Sequence, residues 1–295
     1  MYEEFYSLTE PPFSLTPDPK YFFHSDSHHR GFELLHYAIQ RREGFMVVYG
    51  EVGTGKTTLC RAVIDSIEKN VYSALLLNPF LTEIDLLKAV LQDFGVISAG
   101  SPKISSPSKQ DLLSTLNQFL LSVAETDGRV VLIIDEAQNI PLGALEQIRI
   151  ISNLETHNAK LLQIVLVGQQ ELIDVLSKPE LRQLHQRISI KCEITPLASD
   201  GVTQYIRHRI AIAGGGRSRI RFTPDGLKEI YLYSGGIPRL INLIADRSLL
   251  AGMALSTTTI DRRVVREAVN NLQLKKAKSS SGRIWPFSVW SARSR

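Results

Sequence analysis

Gly50-Glu51-Val52-Gly53-Thr54-Gly55-Lys56-Thr57 constrains this chain more than any other stretch. It fits G-x-x-x-x-G-K-[ST] without a mismatch. An apolar, β-branched run (Phe45–Tyr49) precedes it, and an apolar helical pattern through Cys60 and Val63 follows. Glycine has no Cβ, so the backbone can fold tightly and turn successive N–H groups toward one point. With the positive end of the helix that starts near Lys56, those groups form an anion cradle. Lys56 is placed to reach the β- and γ-phosphates of a nucleotide, and the Thr57 hydroxyl is a natural Mg²⁺ ligand. Thr58, next on the helix, is counted with the loop residues Gly50 to Thr57 as a nucleotide contact.

A second constraint lies in Arg129–Gln138, RVVLIIDEAQ. Five apolar residues, mostly β-branched, read as a buried parallel strand with two acids at its C-terminal end. Ligands of open α/β sheets sit at the carboxyl ends of the strands, so both acids are expected to face the phosphate site. Asp135 is placed to hold the Mg²⁺ shell with Thr57. Glu136, one residue beyond, is placed to orient and polarise an attacking water.

Strands are expected at Phe45–Tyr49, Ala74–Asn78, Val130–Ile134, Leu162–Val167 and Ile188–Ile194, separated by helical stretches such as EIDLLKAVLQDF. Strands alternating with helices imply βαβ units and a parallel sheet. Ser98–Lys109 reads as a Ser/Pro loop. After Pro196 only helical patterns follow, one of them capped by Thr223 with Pro224 in its first turn and glycines at its end. The expected organisation is a nucleotide-binding α/β unit over 1–195, a helical unit over 196–274 and a flexible basic tail over 275–295.

That tail decides how the charge is read. The formal net charge is +4, yet the tail holds Lys275, Lys276, Lys278, Arg283, Arg293 and Arg295 and no acid, leaving about −2 for the body. The body is therefore no polycation, no nucleic-acid-binding motif is visible, and nucleic acid is not the expected partner. Trp285, Phe287 and Trp290 among the tail's basic residues would suit an anionic membrane surface. The acidic, proline-broken N-terminus does not read as a signal peptide, and no apolar run reaches the ~20 residues of a membrane span. Two cysteines, Cys60 and Cys192, favour a reducing, cytoplasmic setting without a disulfide framework. No [NT]-K-x-D guanine motif occurs, which points to ATP. His24, His28 and His29 share helical spacing, but a Ser25-capped helix with Phe32, Leu35 and Ile39 inward explains them better than a metal site.

Several segments in order now carry a resemblance: FYSLTEPPFSLTPDPKYFFHSDSH, GEVGTGKTT, IIDEAQN, RIISNLET, LLQIVLVGQQEL, PELRQLHQRI and YSGGIPRLINLIADRSLL. From Met1 to about Leu274 the chain resembles the AAA+ ATPases of the ExeA/GspA type, known from bacterial type II secretion and related envelope systems. The resemblance implies a P-loop α/β fold with a five-stranded parallel sheet between helices, followed by a small all-helical lid. It implies ATP hydrolysis with Mg²⁺, a homo-oligomer, and a partner in the secretion or export machinery of the envelope, pilus and exopolysaccharide systems included. It makes Gln169 a polar sensor facing the γ-phosphate and Arg239 the lid arginine that contacts nucleotide. Arg187, or else Arg182, becomes the finger that reaches a neighbour's site. It also lays Pro17 to Tyr21 along the base. Larger members continue into a transmembrane helix and a periplasmic domain, whereas this sequence stops after WSARSR. Two other functions stay open at this point: a DNA-associated transposition or replication helper ATPase, and a nucleotide switch with negligible turnover.

Overall fold

The computed structural model of the 295-residue chain describes residues 2–16, 18–67, 70–77, 81–98, 107–156 and 160–277. Its sheet is built from β1 (Phe45–Gly50), β2 (Val71–Leu76), β3 (Arg129–Ile134), β4 (Gln163–Gly168) and β5 (Ile190–Ile194). The order is β2-β3-β4-β1-β5, and every pairing is parallel. Six helices come first in the chain: α1 (Tyr2–Tyr6), α2 (Asp26–Gln40), α3 (Lys56–Ser66), α4 (Glu83–Asp93), α5 (Lys109–Glu125) and α6 (Leu142–Ile151). Two short ones, α7 (Glu171–Leu176) and α8 (Arg182–His185), link β4 to β5. The helical unit comprises α9 (Ser199–Gly214), α10 (Pro224–Ser234), α11 (Pro238–Ala254) and α12 (Arg262–Asn271).

The two-residue period of a strand divides its side chains between two cores. Phe45, Val47, Leu132, Ile134, Ile164 and Leu166 pack beneath α4, α5 and α6. Met46, Val48, Val131, Ile133, Val165 and Val167 face α2 and α3 on the other side. With both faces covered, the strands read as continuous apolar runs. Helix starts follow their caps: Ser25 for α2, Thr82 for α4, a Ser108–Asp111 capping box for α5 and Thr223 for α10.

Three differences from the sequence reading have physical reasons. β2 begins at Val71 rather than Ala74, because Val71, Tyr72 and Ser73 pair with Arg129, Val130 and Val131 at the sheet edge, where burial no longer marks a strand. Asn78, its expected last residue, lies outside the described residues. The helical unit also contains a short parallel pair, β6 (Arg221–Phe222) with β7 (Thr259–Ile260), too brief to leave a period in sequence. Finally, covalent order groups 1–195 together, but Tyr2, Tyr6, Leu8, Phe13 and Tyr21 pack into the helical unit's core. The sheet's faces are already covered, and these side chains find space in the helical unit, against α9 and α11. Most of the basic tail, residues 278–295, lies outside the described residues.

Candidate functional site

Strand order brings the β1–α3 turn, the end of β3 and the end of β4 to one edge, with β4 between the other two. At the turn, Gly53 and Gly55 hold φ of +80° and +97°, and Gly55 leads directly into α3. Lys56 is buried and donates from Nζ to the carbonyls of Gly50 and Glu51, at 2.9 Å each. Burial lowers its pKa, and the charges of Glu136 and Asp135 oppose that shift. Thr54 closes the turn by donating from Oγ1 to the Glu51 carbonyl at 2.8 Å.

Asp135 serves two partners. Its Oδ2 accepts from Thr57 Oγ1 at 2.5 Å, and its Oδ1 accepts from the Glu136 N–H at 2.8 Å. Glu136 itself adopts a left-handed backbone, φ +51° and ψ +36°, which a non-glycine residue takes at a cost and which turns its side chain out of the strand direction. Its Oε2 accepts from Gln138 Nε2 at 2.6 Å and from Gln169 Nε2 at 3.3 Å.

The helical unit closes the cleft. Arg239, in the first turn of α11, donates its N–H to the Gly53 carbonyl at 3.2 Å. A Cβ on Gly53 would stand 2.8 Å from Arg239 Cβ and 3.2 Å from Ile237 Cγ2, so only glycine admits this approach. The resulting cavity is about 380 Å³, and its lining includes Val52, Gly53, Lys56, Thr57, Asp135, Glu136 and Arg239. Gly55 and Thr58 line it as well, and also a neighbouring pocket of about 60 Å³ formed with Tyr21, Phe22, His28 and Tyr205. Glu51 contributes its carbonyl rather than its exposed side chain. Pro17 lies outside the described residues.

The residues fit a nucleoside triphosphate with a hard divalent cation. Thr57 and Asp135 offer two converging oxygens. That is the protein's usual share of a Mg²⁺ shell completed by phosphates and water. Arg182 and Arg187 do not join them. Arg182 is exposed, and Arg187 lies beside β5, where its charge acts on Glu155. A larger groove, about 510 Å³, sits between α9 and α10 and is lined by no phosphate-loop residue; the chemistry assigns the site to the smaller cavity.

Two residues of this site were not legible as such. Gln138 joins Glu136 to Gln169, accepting at Oε1 from the Gln169 N–H at 3.1 Å. His28, read as a helix residue, bridges Ser25 Oγ (2.7 Å from Nδ1) and the Thr54 carbonyl (2.9 Å from Nε2). A carbonyl only accepts, so Nε2 carries the proton and the ring is a strut beneath the phosphate loop. Gly55 leaves room for it: a Cβ there would lie 3.0 Å from Nε2. Among the described residues no cluster of three or more His, Cys, Asp or Glu could hold a metal ion.

Residues 39–176 match the AAA domain family. General secretion pathway protein A of Aeromonas hydrophila is 42% identical over 254 residues, which is 86% of this chain and 45% of that protein. The chain thus spans about half the length of the curated relative it matches. Among solved structures, Cdc6p of Pyrobaculum aerophilum superposes with a TM-score of 0.67 at 16% identity, covering 90% of this chain and 71% of its own. The Aeropyrum pernix ORC2 protein, in ADPNP and ADP complexes, gives 0.63 at 16% identity, covering 83% and 67%. The RuvB Holliday junction branch migration motor of Thermotoga maritima gives 0.57 at 18%, covering 85% and 70%. At these identities the three structures establish the fold, a P-loop AAA-type sheet followed by a helical part.

Proposed function

We propose that this chain, which carries an AAA domain and is a relative of general secretion pathway protein A, binds ATP with Mg²⁺, hydrolyses it, and uses the cycle to assemble an envelope secretion or export system. The observation that supports the chemistry most directly is the convergence of Lys56, Thr57–Asp135 and Glu136 on one cleft capped by Arg239. In this reading Lys56 leaves the carbonyls of Gly50 and Glu51 for the β- and γ-phosphates. Thr57 and Asp135 would hold Mg²⁺, which supplies charge neutralisation on the phosphate oxygens when bound. Glu136 accepts a proton from water as its oxygen bonds to the γ-phosphorus and the bond to the β–γ bridging oxygen breaks, giving ADP and phosphate. Arg239 brings a permanent charge from the helical unit to the phosphates. Gln169 reports on the same end through Glu136. The export role rests on the relative's name alone, the partner being a component of that machinery in the cell envelope.

The test separates binding from chemistry. Lys56→Ala should abolish binding of a fluorescent ATP analogue, because the phosphates lose the one mobile cation of the loop. Glu136→Gln should bind as the parent does and release phosphate at least ~10²-fold more slowly. Parent-like affinity in Lys56→Ala would end the site assignment. Parent-like turnover in Glu136→Gln would favour a switch in which Glu136 is structural.

A further inference from the structure

We propose that Gln138 is a positioning residue for hydrolysis, an amide bridge that fixes which oxygen of Glu136 faces the attacking water. The proposal rests on the reading of Glu136 as the water-activating carboxylate.

The geometry is specific. Gln138 sits in a single 3₁₀ turn, Ala137–Asn139, immediately after Glu136, and its side-chain amide uses both ends. Nε2 donates to Glu136 Oε2 at 2.6 Å, and Oε1 accepts from the Gln169 N–H at 3.1 Å. An amide whose oxygen is held by a backbone donor cannot rotate its NH₂ away, so the donor to Glu136 is anchored on β4 rather than on its own turn. Gln169 Nε2 adds a second donor to the same carboxylate oxygen at 3.3 Å. Both amides therefore engage Oε2. Oε1 has no protein hydrogen bond among the described residues and is the atom left to take the water's proton.

The backbone supports this arrangement. Glu136 is held left-handed by its own N–H to Asp135 Oδ1, so the carboxylate is aimed from a backbone tied to the Thr57–Asp135 pair. Gly168, at the end of β4, has no Cβ where one would stand 2.6 Å from Gln138 Oε1. Any larger residue there would displace the bridge. Gln138 thus couples the end of β3 to the end of β4 at the point where the carboxylate must be oriented.

Turnover and nucleotide affinity are measured on the 295-residue chain for Gln138→Leu and Gln138→Glu, alone and combined with Glu136→Gln. In Gln138→Leu, kcat should fall about 10- to 100-fold, the range for groups that orient a functional ligand, while KM and ATP-analogue affinity stay within about twofold. Gln138→Glu, which sets a like charge against Glu136, should fall further. In the Glu136→Gln background Gln138→Leu should cost nothing more, since its effect runs through the carboxylate. A turnover within twofold of the parent, or an equal loss in both backgrounds, overturns the proposal. A second measurement does not depend on turnover: the side-chain ¹H–¹⁵N amide signals of Gln138 should shift in Glu136→Ala. Unmoved signals overturn the bridge itself. A parent that binds ATP without turnover, together with shifted signals, would fault the hydrolysis reading and leave the bridge standing.

Discussion

At the scale of single residues, the site depends on groups whose importance only the fold discloses. Lys56, Thr57, Asp135 and Glu136 are readable because phosphate and Mg²⁺ chemistry demands those residue types next to a glycine turn and a strand end. Gln138 and His28 are not, because glutamine and histidine carry no such demand; their roles arise from contacts with Gln169 and with Thr54, 31 and 26 residues away along the chain. For His28 the contact has a measurable consequence. Burial holds its pKa down at about 4, against an ordinary 6.5. The folded protein thus needs the neutral ring, and the unfolded chain binds the extra proton first. His28's contribution is complete above pH 6.5 and is lost as pH falls toward 4, at about 1.4 kcal/mol per pH unit and about 3 kcal/mol across the window. Thermal unfolding followed from pH 7 to pH 4 should therefore show a shallower decline in His28→Gln than in the parent; parallel declines would mean the ring stays wet and titrates normally. At the position proposed to hold Mg²⁺, Thr57→Ala should weaken ATP binding measurably in the presence of Mg²⁺ and little in its absence, as titrations with and without the metal will show.

At the scale of elements, the parallel sheet and its helices are legible because two covered faces force long apolar runs. Strand order is not, since the βαβ pattern is the same whichever strand lies in the middle; only the packed structure places β4 between β1 and β3. Element ends are least legible where burial stops marking them, as at Val71–Ser73 on the edge strand, and two-residue strands such as β6 and β7 leave no signature. The joint between α10 and α11 is a further element-scale feature. Gly236 has φ +80°, accepts from the Leu197 N–H at 2.8 Å, and has no space for a side chain: a Cβ would fall 2.0 Å from the Leu197 carbonyl oxygen. This contact sets the direction in which α11 presents Arg239 to Gly53. Gly236→Ala is expected to destabilise the chain by more than about 2 kcal/mol through backbone strain and displacement. It should also weaken nucleotide binding. Calorimetry and a nucleotide titration on the same sample check both, and an unchanged melting temperature would contradict the contact.

At the scale of the whole molecule, the position of Arg187 bears on assembly. It lines neither cavity of its own cleft and lies beside the edge strand β5, near Glu155. If it completes a neighbour's site, turnover per subunit should rise with protein concentration. Arg187→Ala should then bind ATP but turn over slowly, since a finger of this kind is worth ~10³–10⁵ in rate in GTPase–activator pairs. Arg187→Ala and Glu136→Gln preparations should regain activity when mixed, because one offers an intact cleft and the other a finger. Concentration-independent turnover without rescue would mean that one chain holds a complete site. The amino-terminal strap bears on how that cleft opens. Tyr2 and Tyr6 hydrogen-bond to Asp246 and to the Leu249 carbonyl, so the helical unit is attached to the sheet unit by two crossings, one before α2 and one after β5. Phe22 and Phe23 of the first crossing and Leu197 of the second line the same small pocket. Two attachments define an axle: the helical unit can turn about the line through them but cannot swing free of either. Arg239 follows Pro238, which lines the same pocket as both crossings, so such a turn leaves the arginine close to Lys56.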